Sequence, residues 1–170
     1  MSETTGLRRK DMARSLAAKL DPGSILLRRW AGCWLDFVAL AVLNGVALAP
    51  TLVIPDAPAA VAVAIFSVVT LGYFPLTEGI WGRSLGKLVT GTIVVDADGR
   101  PPGLTRAVVR TLLRLVEVNP FVAGGLPAGI SVAVTKHRQR LGDLAAGTYV
   151  VPLEALEAAR RGLPNAALFD

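Results

Sequence analysis

The sequence predicts an all-α membrane protein: two transmembrane helices, then a broken, arginine-bearing helical hairpin, with a short cytoplasmic β element between them. Three observations predict it. Hydrophobic residues are 52% of the 170 and charged residues only 18%, against about 25% charged in an average soluble domain. Seven basic residues (Arg8, Arg9, Lys10, Arg14, Lys19, Arg28 and Arg29) precede Trp30, and none follows until Arg83. The interval they bracket holds just three acidic residues, Asp36, Asp56 and Glu78.

That interval has room for two crossings of about 20 residues each. The first runs over roughly 31–53 and the second over 59–81, with the prolines and aspartate of IPDAP turning the chain between them. Lys and Arg beside spans favour the cytoplasm. Both outer flanks of the hairpin are basic and its tip is not, so residues 1–29 and 82–117 are expected at the cytoplasmic face. Trp30, Trp34 and Trp81 fall at that level, where indoles prefer to sit. The expected location is the bacterial plasma membrane, multi-pass, with a cytoplasmic N-terminus. A buried hairpin in a soluble protein is the competing reading.

Residues 1–20 lack the apolar stretch of a signal peptide. As a helix they place Met12, Ala13, Leu16, Ala17 and Leu20 on one side. This suits a helix lying on anionic lipid; a flexible basic tail is the alternative. Asp21-Pro22-Gly23-Ser24 breaks the chain before the span.

After the hairpin, GRSLGKLVTGTIVVDADG carries Gly82 and Gly86 as loop glycines, a β-prone run at 92–95 and the Asp98-Gly99 turn signal. The spacing of Gly82, Gly86 and Lys87 does not match a phosphate-binding loop, which needs GxxxxGK[ST]. Next comes LTRAVVRTLLRLVEV, residues 104–118, with Arg106, Arg110 and Arg114 every fourth residue on one face. Each arginine at mid-bilayer costs at least about 2.5 kcal/mol. The helix therefore either lies in the interface with its arginines snorkelling, or inserts with them against polar partners. Asn119-Pro120 ends it, and an apolar stretch with Gly125 and Gly129 at GxxxG spacing follows. The basic cluster at 136–140 favours a re-entrant pair with both ends cytoplasmic over a plain third span. Pro152 opens a final amphipathic helix, expected at the surface. The chain thus divides into a basic N-terminal segment (1–24), a membrane unit (25–151) and a C-terminal helix and tail (152–170).

Three stretches, RRWAGCWLD, GRSLGKLVTGTIVVDADG and RQRLGDLAAGTYVV, resemble the RDD family of bacterial membrane proteins, named for one arginine and two aspartates. The matching positions are Arg29, Asp36 and Asp143, and the resemblance covers about 25–151. A histidine often found before the last aspartate is replaced by Gly142, which puts any proton relay there in doubt. The resemblance implies an inner-membrane protein for which transport is suggested.

Arg29 and Asp36 share a helix face, with Asp36 about 10 Å deeper. A carboxylate at that depth costs roughly 2.5–3.5 kcal/mol unless paired, hydrated or neutralised. The expected partners are Arg110 or Arg114, with Asn44 extending the polar face. Asp143 is expected at the interface, capping a helix or holding Arg138 or Arg140. Glu78 is expected to pair with Arg83, Cys33 to pack, and His137 to meet solvent or headgroups. The single histidine and single cysteine leave no nameable nucleophile and base, so no enzyme, cofactor or metal is expected. Two function classes remain: a small transporter or permeation component, expected to oligomerise, and a membrane scaffold or accessory subunit. The expected partners are the bilayer, its anionic headgroups and a second copy of the chain. The high pI is explained by topology, without nucleic acid.

Overall fold

The computed structural model describes residues 11–54, 58–117 and 126–162. Arg8, Arg9, Lys10, the centre of the IPDAP turn, the Asn119-Pro120 break and Gly125 lie outside them.

A short helix α1 (Met12–Ala17) leads into the long helix α2 (Pro22–Leu48). Asp21 starts α2 by accepting the Ser24 N–H at 2.7 Å, with Pro22 at the first helical position. The Asp-Pro-Gly-Ser run is thus the helix start itself. Arg28 and Arg29 lie inside the helix rather than before it. One 3₁₀ turn (Ala49–Leu52) extends the far end. Helix α3 (Ala59–Trp81) returns and stops at Gly82, whose φ of 70° supplies the left-handed C-cap. The extents agree with the two expected spans except for this early start of α2.

Both helices are long and apolar enough to cross a membrane, with mean hydropathy 1.8 and 2.0 over their best windows, of which only 17% and 11% is buried. A core helix of a soluble protein would be mostly covered. The stripe of α2 that is buried is instead Gly32, Asp36, Leu40 and Asn44, while valines at 38, 42 and 46 face outward. Apolar outside and polar or small inside is the pattern that suits lipid as the solvent.

The remaining elements gather at the base of the hairpin, where α2 begins and α3 ends. Helix α4 (Leu85–Val89) lies on α2, and β1 (Thr92–Val95) follows. Helix α5 (Leu104–Glu117) packs along α3, α6 (Leu126–Val134) contacts α2, and α7 (Leu141–Ala146) packs on α5. Strand β2 (Tyr149–Pro152) and helix α8 (Leu153–Arg160) close the chain. Strand β1 pairs antiparallel with β2, from Thr92↔Pro152 to Val95↔Tyr149. Its partner lies some sixty residues away rather than across a local turn.

One apolar core surrounds this sheet. Ala13, Leu16, Ala17 and Leu20 from the N-terminal segment meet Ile93, Val95, Tyr149, Val151 and Leu156. The Ala13 N–H donates to the Ala97 carbonyl at 3.1 Å. The apolar stripe of the N-terminal helix is therefore covered by protein, neither laid on lipid nor left as a flexible tail. Leu156 of the C-terminal helix is fully buried in the same core.

Two glycines set helix distances. A Cβ on Gly86 would overlap the Gly32 carbonyl oxygen, so α4 and α2 touch backbone to backbone there. A Cβ on Gly79 would stand 3.0 Å from Leu104 Cα, where α5 begins against α3. At Gly129 the nearest such atom is a Leu26 methyl at 4.0 Å, an ordinary contact. The close helix approach expected of the GxxxG pattern is absent at this glycine.

A buried ion cluster at the base of the hairpin

Helix α5 orients the site. Ala107, Arg110 and Thr111 are buried, whereas Val108, Leu112 and Leu115 are exposed. Its arginine face turns inward and its aliphatic face outward, the reverse of a helix in a soluble protein. Arg110 and Arg114 thus meet internal polar partners and do not snorkel. Arg106 is different: half-exposed, its one ion-pair partner among the described residues is Asp96, at 3.8 Å. Four-residue spacing turns each rung by about 40°, and the first rung leaves the buried face.

Asp36 has no basic partner among the described residues, which corrects the expected pairing with Arg110 or Arg114. Its Oδ1 accepts from the Tyr73 hydroxyl at 2.8 Å and the Gly86 N–H at 2.8 Å. Its Oδ2 accepts from the Ser84 hydroxyl at 2.6 Å. The backbone contact at Gly32 and Gly86 brings that N–H within reach. Asn44, two turns on, donates to Thr70 at 3.2 Å and stands apart from the cluster.

Glu78, fully buried, takes the arginines instead. Its Oε1 meets Lys87 Nζ at 2.8 Å and Arg114 Nη2 at 2.6 Å, and its Oε2 meets Arg110 Nε at 3.1 Å. The expected Glu78–Arg83 pair does not form, because Gly82 ends the helix between them and turns the chain away. Arg114 also lies over the Phe74 ring, 3.5 Å from its centroid.

Asp143 forms the second node. Its Oδ2 accepts from Arg29 Nη2 at 2.5 Å, and its Oδ1 from Arg110 Nη1 and from Arg140 Nε at 3.2 Å. It also closes a capping box by accepting the Arg140 N–H at 3.3 Å. The capping role and the Arg140 contact agree with expectation; complete burial, rather than an interfacial seat, does not. Burial alone would push this carboxyl up, but Arg110, Arg29 and Arg140 outweigh it and hold the group well below the usual carboxylate range. Burial lowers the Lys87 ammonium, with Glu78 opposing.

Arg110 joins the nodes. Its Nε serves Glu78, and its Nη1 serves Asp143 and, at 2.7 Å, the Thr148 hydroxyl. Glu117 accepts the Gly142 N–H at 2.8 Å and lies 4.0 Å from Arg140. Five cations (Arg29, Lys87, Arg110, Arg114, Arg140) thus face three carboxylates (Glu78, Glu117, Asp143). Arg29, Asp143, Arg110 and Arg114 were legible as candidates. Arg140 was expected beside Asp143, whereas Glu78, Lys87, Tyr73 and Ser84 were not assigned to the site. The signal for Glu78 was present: a carboxylate in the last turn of a span is expensive without a partner.

Beside the cluster is a cavity of about 480 Å³, within the usual range for ligand sites. Among the described residues, Arg28, Arg29, Lys87, Arg110, Arg114 and Arg140 line it, with Asp36 as the one carboxylate and Trp30, Trp34, Phe37 and Phe74 as aromatic wall. Cys33 is on the wall, partly buried. His137 stacks edge-on with Tyr149 elsewhere. No cluster of metal-ligand type occurs among the described residues.

A hairpin of bilayer length, polar within and apolar without, with an arginine–carboxylate cluster at its base, fits a small membrane protein. The chain belongs to the RDD family, whose model matches residues 22–147. No curated protein and no solved structure matches it.

Proposed function

We propose that this RDD protein is a transport or permeation component of the bacterial inner membrane whose cargo is an anion. The observation that carries the reading is the cavity wall, where six basic side chains stand against one carboxylate. Neutral donors already occupy both oxygens of Asp36, which argues against a cation carried there. The basic residues at the hairpin base support a cytoplasmic N-terminus. Two crossing helices do not enclose a path by themselves, which favours a homo-oligomer. The reading assigns the chain no catalysis.

Full-length protein in liposomes tests this, with chloride, inorganic phosphate and sodium followed separately. Anion flux that falls at least tenfold in Arg28→Gln is the expected result. Sodium flux that Asp36→Asn abolishes and Arg28→Gln leaves intact would overturn it. The scaffold reading draws on the multiple bonds made by Glu78 and Asp143. It would prevail if folded protein carries no ion at all.

A further inference from the structure

We infer that the cavity holds the phosphate of an anionic lipid headgroup, with the acyl chains leaving past Trp30 and Trp34. This rests on the anion reading above and narrows it to a ligand class.

The first support is unused hydrogen-bonding capacity. Arg110 Nη2, Arg114 Nη1 and Arg140 Nη2 are buried and have no partner among the described residues. Arg110 is wholly buried and Arg140 is 8% exposed, and both line the cavity. A buried guanidinium N–H without an acceptor is costly. All three residues line the same cavity, and a multidentate acceptor there suits them. A phosphate offers several oxygens to such forks.

Charge points the same way. The five cations of the cluster exceed its three carboxylates, and Arg28 adds a further positive charge at the wall against Asp36. The cluster's own acids do not neutralise it, so a bound anion would complete it.

The shape of the cavity separates a lipid from a free ion. Its aromatic wall on α2 is continuous with the outer surface: Trp30 is 61% exposed and Trp34 56%, and both also line the cavity. Indoles so placed sit at headgroup level in a bilayer. A small hydrophilic ion has no use for that wall, whereas an amphiphile covers it while its phosphate reaches the arginines. Val132 and Ala128 of α6 complete the apolar side.

The test uses full-length protein in detergent and the quenching of its tryptophans. Phosphatidate with brominated acyl chains is titrated against phosphatidylcholine with the same chains, and inorganic phosphate is added as competitor and alone, followed by melting temperature. The expected result is saturable quenching by phosphatidate at affinity at least tenfold above that of phosphatidylcholine. Arg28→Gln should weaken it by about tenfold, the scale of one charge-assisted hydrogen bond. The one hydrogen bond this variant removes among the described residues is the long one to the Thr90 carbonyl, 3.4 Å. Arg114→Lys, which keeps a cation near Glu78 and removes the fork, should weaken it similarly. Equal quenching by the two lipids would overturn the inference, because an annular lipid shell does the same. Inorganic phosphate that binds as tightly as phosphatidate would also overturn it while leaving the anion reading in place. No binding by either would overturn the inference, and the absence of chloride flux as well would overturn the anion reading.

Discussion

Replacement of Asp36 separates a structural carboxylate from a working one. Three donors converge on it: the Tyr73 hydroxyl, the Ser84 hydroxyl and the Gly86 N–H, at 2.8, 2.6 and 2.8 Å. Hydrogen bonds to a charged group contribute about 1.5–3 kcal/mol each, and a buried donor left unsatisfied costs about 1–3 kcal/mol. Asp36→Ala orphans all three, so its cost should reach about 3–9 kcal/mol, enough to consume most of a typical domain's stability. Asp36→Asn keeps one oxygen for Tyr73 and Gly86. Its amide N–H₂ can donate to Ser84 once that hydroxyl rotates. The loss should be about 1–2 kcal/mol, the difference between charged and neutral bonds. Thermal or denaturant unfolding in detergent micelles reads both variants against wild type. The reasoning fails if Asn destabilises as much as Ala. The negative charge itself would then be what the site needs, and the neutral cradle would not account for it.

Further outcomes follow from the same geometry. Gly86→Ala should cost about 1–3 kcal/mol or more, because its methyl meets the Gly32 carbonyl, which is backbone and cannot rotate away. Gly45→Ala, with nothing within 4 Å of its Cβ, should be neutral or stabilising by roughly 0.4–1 kcal/mol; the same unfolding assay compares them. The Asp143 carboxyl is held low in the folded state. Its stabilisation is therefore fully present above the unfolded value near about 4 and is lost as pH falls below it. Asp143→Asn should flatten that acid slope while costing about 3–5 kcal/mol at neutral pH, as unfolding curves from pH 7 to 3 would record.

The hairpin was legible because lipid-facing helices announce themselves by length and by missing charge. Partner choice within it was not. Asp36 and the arginines were each recognisable as costly, and pairing them was the simplest remedy. The chain instead gives Asp36 hydroxyls and a backbone N–H, contributed by Tyr73, Ser84 and Gly86, 37 to 50 residues away. Such distant neutral donors leave no periodic trace. The arginines went to Glu78, whose place in the last turn of α3 reads as interfacial until α5 covers it. The stripe on the N-terminal helix was visible too. What covers it, a sheet whose second strand begins at Tyr149, depends on contacts that no local pattern encodes.

The Glu78 node also implies an order of synthesis. Lys87 follows it by nine residues, but Arg110 and Arg114 follow by 32 and 36. The whole second span is therefore synthesised before either guanidinium. Strand β2, which closes over β1, comes later still. The hairpin and the cations that complete its base are thus encoded in separate stretches of the chain. A released protein truncated after residue 103 should keep the Glu78 end wet, because the docking of α5 is what dries it.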